Sequence, residues 1–77
     1  MHYDLPDLRL VAAIADSGSL TRAAERIHLA PSSASHRLTQ LEAALGMALF
    51  ERHARGLTPT PAGESLLRHA RQVFAQL

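Results

Sequence analysis

Three residues separate Ile27, the last apolar position of one helical pattern, from Pro31, where the next begins. That gap holds a tight turn and nothing longer, so the two helices must cross against each other. In "SLTRAAERIHL", Ser19 is a candidate N-cap, and Leu20, Ala23, Ala24 and Ile27 recur at helical spacing. The paired alanines let a second helix come close. That second helix is predicted from Pro31, favoured at a first helical position, to Gly46, a natural left-handed cap. Small residues on the first helix and a polar start on the second form a helix-turn-helix pattern.

The rest of the chain must fold around this pair. Residues 5 to 16 predict a helix capped by Asp4, with Leu5, Leu8, Val11, Ala12 and Ala15 as one apolar stripe and Gly18 as its stop. Leu10 and Ile14 lie away from that stripe, and something outside the domain's own core is expected to cover them. Leu49 to Arg52 and Leu57 to Pro59 read as two short extended pieces around Gly56, a small hairpin wing whose prolines restrict it to an edge ribbon. Thr60 then caps a last helix with Pro61 at its first position, and Leu66, Ala70, Val73 and Leu77 recur along it. No stop signal ends this helix, so the sequence reads as cut there.

Composition narrows the function classes. A chain of 77 residues buries only about 60% of the surface its unfolded form exposes, too little to wall an ordinary substrate cavity, so no enzyme is expected. There is no cysteine, hence no disulfide frame and no thiolate zinc site. No basic leader precedes the first helix and no apolar run approaches the ~18 residues of a membrane span, so a soluble cytoplasmic protein without membrane contact is the expectation. Net charge is only +1, but all 8 basic side chains are arginine. From residue 19 onward, arginines 22, 26, 37, 52, 55, 68 and 71 face only Glu25, Glu42, Glu51 and Glu64. Arginine suits planar, bidentate recognition of phosphates and base edges.

The polar start of the helix from Pro31 fits that bias. Ala34, Leu38, Leu41 and Leu45 share one side, whereas Ser32, His36, Thr39, Gln40 and Ala43 share the other, with Ser33 and Arg37 flanking. Small hydroxyls, an imidazole and an amide on the free face of the first two turns suit a major groove about 12 Å wide. The competing reading makes the serines helix caps and solvated positions. Arg22 and Arg26, one turn apart, are equally compatible with a merely wet helix face.

The motif residues occur in a fixed order: Ala23-Ala24, Ser35, Leu41-Glu42, Leu45-Gly46, Leu49-Phe50, Arg52, Arg55, Thr60 and Ala62-Gly63. Together they resemble the DNA-binding domain of LysR-type transcriptional regulators over nearly the whole chain. The resemblance implies a mainly α, winged helix-turn-helix fold: a three-helix core and two-stranded β wing over residues 1–60, then the start of a linker and dimerisation helix over 61–77. It also implies a separate effector-binding domain, absent from this sequence, through which alone a small molecule would act. Neither a cofactor nor a metal is implied. The expected partner is double-stranded DNA carrying an interrupted palindromic operator. Major-groove contacts are implied for Pro31, Ser32, Ser35 and His36, a minor-groove arginine for Arg55, and backbone contacts for Thr21 and Arg52. The residue pattern adds Ser33, Arg37 and Gln40. Two chains are expected to pair through the last helix, with Leu66, Ala70, Val73 and Leu77 as the seam and Leu10 and Ile14 nearby, or to form tetramers in the full-length protein. Where many family members carry Ser-Gln, this chain has Ala30-Pro31, which removes one capping hydroxyl and one base-reading amide. His36 stands where arginine or glutamine is frequent.

Rival readings find less support. The histidines show no HxxxH or HxH spacing for a metal, and Ser35 and His36 point about 100° apart, too far to make a catalytic dyad. A helical protein-binding or dimerisation module without nucleic acid is the remaining alternative. A steep fall in DNA affinity with salt separates the two, because only a DNA binder releases counterions.

Overall fold

The computed structural model describes residues 3–77. Four helices, α1 (Leu5–Ser17), α2 (Leu20–Arg26), α3 (Pro31–Leu45) and α4 (Pro61–Ala75), surround one core, and β1 (Phe50–His53) with β2 (Gly56–Pro59) form an antiparallel ribbon between α3 and α4. This is the mainly helical, winged arrangement expected from the sequence.

Local chemistry sets most boundaries. Asp4 Oδ1 accepts the Asp7 amide at 3.1 Å while Asp7 Oδ2 accepts the Asp4 amide at 3.2 Å, a reciprocal cap that starts α1. Ser19 Oγ accepts the Arg22 amide at 3.2 Å to start α2. No side chain caps α3, whose N-cap is Ala30; Pro31 has no N–H to satisfy and its fixed φ suits the first turn. Gly18 at φ 68 and Gly46 at φ 71 end α1 and α3 in the left-handed conformation. Between α2 and α3, His28 takes φ 60, and the Leu29 amide donates to the Ala24 carbonyl at 2.9 Å.

Packing corrects the reading of α1. Leu10 and Ile14 are fully buried at 0% exposure, whereas Leu5, Ala12 and Ala15 are only half-buried. The reason is that α1 is the central helix: α2, α3, α4 and β2 all pack against it, so both apolar sides are covered within the chain. Neither Leu10 nor Ile14 has surface left for a partner. The expected seam of α4 changes likewise. Leu66 and Ala70 are buried in the same core, Val73 is half-buried, and Leu77 is 79% exposed. Leu67 is buried too, so the first turns of α4 complete the helical core.

β1 lies one residue later than expected and β2 begins one residue earlier, with Phe50 facing Pro59, Arg52 facing Leu57 and His53 facing Gly56. Backbone carbonyls help to hold the wing. The Leu57 amide donates to the Gly18 carbonyl at 3.0 Å, the Thr60 amide donates to the Leu49 carbonyl at 3.0 Å, and Thr60 Oγ1 donates to the Ala48 carbonyl at 2.6 Å. The same Thr60 oxygen accepts the Gly63 amide at 3.1 Å and so caps α4.

Candidate nucleic-acid interface

The first two turns of α3 present their polar face to solvent because the opposite face, Ala34, Leu38 and Leu41, is drawn into the core. Pro31, Ser32, Ser33, His36 and Gln40 are all exposed, and Ser35, beside them, is half-buried. Thr39 Oγ1 donates back to the Ser35 carbonyl at 3.0 Å, which turns that hydroxyl inward on the helix instead of outward. Thr21, at the start of α2, is exposed, as are Arg52 on β1 and Arg55 in the wing turn. The fold thus keeps the major-groove candidates together on one helix and places Arg52 and Arg55 on a separate projection. Arg22 and Arg26 are exposed on α2.

Arg37 differs from its neighbours. Its Nη1 donates to Asp7 Oδ1 at 3.3 Å and lies 3.9 Å from Asp4 Oδ1, so the guanidinium ties α3 to the first turn of α1. The two carboxylates, with Ser33, His36 and Gln40, line an open groove of about 470 Å³ beside the free face of α3. The Arg37 side chain is 39% exposed and that of Asp7 15%, so solvent still screens the pair from its arginine side. Asp7→Asn should therefore lower stability by only about 0.5 to 1 kcal/mol. Thermal melting of both proteins at low and high salt checks this: the difference should shrink as salt screens the wild-type pair, and a difference unaffected by salt would assign the effect to the α1 cap.

The roles of two residues, the motif residue Glu42 and His53, escape a reading of the sequence. Glu42 Oε2 accepts the amides of Leu49, at 2.7 Å, and Phe50, at 3.4 Å, and so fastens the start of the wing to the helix that carries His36 and Gln40. Its signal is weak, a carboxylate seven positions before the amide it holds. His53 bonds on both sides of its ring within the wing: Nδ1 accepts the Arg55 amide at 3.2 Å, and Nε2 lies 2.6 Å from Thr58 Oγ1. Among the described residues, no group of three or more histidine, aspartate or glutamate side chains is placed to hold a metal ion. No helix among them is long and apolar enough to cross a membrane.

A polar helix face held beside an antiparallel ribbon defines the winged helix-turn-helix class of DNA-binding domains. The sequence profile of the bacterial regulatory helix-turn-helix proteins of the lysR family matches residues 5–64, and the chain belongs to that family. It is 43% identical over 77 residues to the small neutral protease regulatory protein of Streptomyces coelicolor, an alignment covering all of this chain and 24% of that protein. Among solved structures, it resembles the CbnR DNA-binding domain in complex with DNA, at 32% identity and a TM-score of 0.87 over 96% of this chain and 85% of that one. The BenM DNA-binding domain bound to its benA site 1 gives 30% identity and a TM-score of 0.89 over 96% of this chain and 83% of that one. The chain spans about a quarter of the length of the curated relatives it matches.

Proposed function

We propose that this domain binds double-stranded DNA sequence-specifically, with the start of α3 in the major groove and Arg55 of the wing in a flanking minor groove. The observation that carries this reading is the row of exposed small polar residues Ser32, Ser33, His36 and Gln40 on the one face of α3 that the core leaves free. The likeness to two domains solved with DNA supports it. Thr21 and Arg52 are assigned to phosphates. Arg37, engaged by Asp7, serves first to hold α3 against α1 and only then as a backbone contact. Two chains on one interrupted palindrome are the assembly we propose, paired through the outer face of α4. Val73 on α4 and Leu77, just past its end at Ala75, are the seam residues that the core leaves accessible. A small-molecule effector would act through a separate domain, in the cytoplasm, where such a regulator meets its operator.

The test is a pair of titrations, on a duplex selected from a random library and on random duplex. His36→Ala should weaken binding to the selected site by about 1 to 3 kcal/mol, with little loss on random DNA, and relax the preference at one base pair per half-site. Equal loss on both duplexes would remove His36 as a base reader and leave that role to Ser32 or Gln40. Affinity that does not fall with rising salt would overturn DNA binding itself, since neutralised phosphates must release counterions.

A further inference from the structure

The turn that carries Arg55 is closed by the side chain before it. His53 Nδ1 accepts the Arg55 amide at 3.2 Å, which leaves the ring proton on Nε2, where it donates to Thr58 Oγ1 at 2.6 Å on the opposite strand. The first bond is the imidazole counterpart of an Asx turn, in which a side-chain oxygen accepts the amide two residues on. The second strand is held as well. Gly56, paired with His53, takes φ 130 and packs so closely on the Gly18 carbonyl that a Cβ there would overlap its oxygen. The two-residue turn, Ala54 and Arg55, is thus fixed by His53 at one end and by Gly18 at the other. Among the described residues the Arg55 guanidinium has no hydrogen bond or ion pair, so the backbone of this turn alone fixes the point from which the side chain projects.

We propose that His53 is a positioning residue for Arg55, using its Nδ1 acceptor to set the turn that aims the guanidinium at the minor groove. The proposal rests on the minor-groove role given above to Arg55. A turn ordered in advance loses less backbone freedom on binding, so the preference of the arginine it carries for narrow A·T-rich grooves is expressed more fully.

The test uses His53→Ala, His53→Asn, Arg55→Ala and the His53→Ala/Arg55→Ala double variant of this chain. Affinities are measured on A·T-flanked and G·C-flanked duplexes, and amide exchange at residues 54 to 56 is followed without DNA. His53→Ala should reduce the A·T over G·C preference by about two- to tenfold and speed exchange of the Arg55 amide. His53→Asn, whose side-chain oxygen can accept the same amide, should restore both. In the Arg55→Ala background His53→Ala should add nothing. Full additivity in the double variant, or failure of asparagine to restore the preference, would overturn the positioning role. So would unchanged exchange at Arg55. A large fall in melting temperature for His53→Ala would mark the histidine as merely structural. Arg55→Ala with no effect on either duplex would instead overturn the minor-groove reading, an outcome distinct from unchanged exchange in His53→Ala.

Discussion

Gly63→Ala should destabilise the domain by about 2 to 3 kcal/mol, although alanine is the better helix former by about 1 kcal/mol. Gly63 is buried in the first turn of α4, where a Cβ would overlap the Leu49 carbonyl oxygen and lie 3.0 Å from its carbon and 3.4 Å from Pro59 Cβ. The obstacle is backbone, which cannot swing aside like a side-chain end. Moving it would also strain the bond from the Thr60 amide to the same carbonyl, 3.0 Å long, for a further loss of about 1 kcal/mol. Steric overlap therefore outweighs helix propensity. For a domain of this size each kcal/mol shifts the melting midpoint by about 4 to 8 °C, so a drop near or above 10 °C is expected. A rise in midpoint would show that α4 and the wing approach are looser than the close contact at Leu49 requires.

Leu10→Ala carries the other large effect, about 2 to 5 kcal/mol, through a cavity at the centre of α1. Leu10 is 0% exposed in the single chain, packed among the helices and not at their outer surface. Small domains are stable by only about 0.05 to 0.15 kcal/mol per residue, so this loss removes much of the total. The decisive feature is its concentration dependence. A loss of melting temperature that is the same in dilute and concentrated protein places Leu10 in the core of each chain. A loss that vanishes on dilution would return it to an interface between chains.

These two residues mark where a sequence is legible and where it is not. The helix starts at Asp4, Ser19 and Thr60 and the stops at Gly18 and Gly46 could be read because each is decided within about one turn of chain by a side-chain oxygen or a left-handed glycine. The free face of α3 was legible for a similar reason: one core stripe predicts its polar opposite. For α1 the same reasoning failed. A helix with two apolar sides is central, and periodicity cannot say whether its second cover comes from α4 of the same chain or from another molecule. Leu66 and Ala70 answer that question by packing into the core. The partner of Arg37 lies 30 residues away in sequence, and the grip of Glu42 on the wing depends on how a loop returns to its helix. Nothing in the neighbours of His53 announces a turn acceptor.

The bond from Glu42 to the Leu49 and Phe50 amides fastens the wing to α3, and the bond from Leu57 to Gly18 fastens it to the α1–α2 corner. With both ends tethered, helix and wing form a caliper of set opening. If a duplex is held by helix and wing together, as proposed, the double helix and not the protein would supply most of any bending or narrowing. The elastic cost of such a deformation would vary with the base steps between helix and wing. On that reading, operators would be sorted by stiffness as well as by base edges.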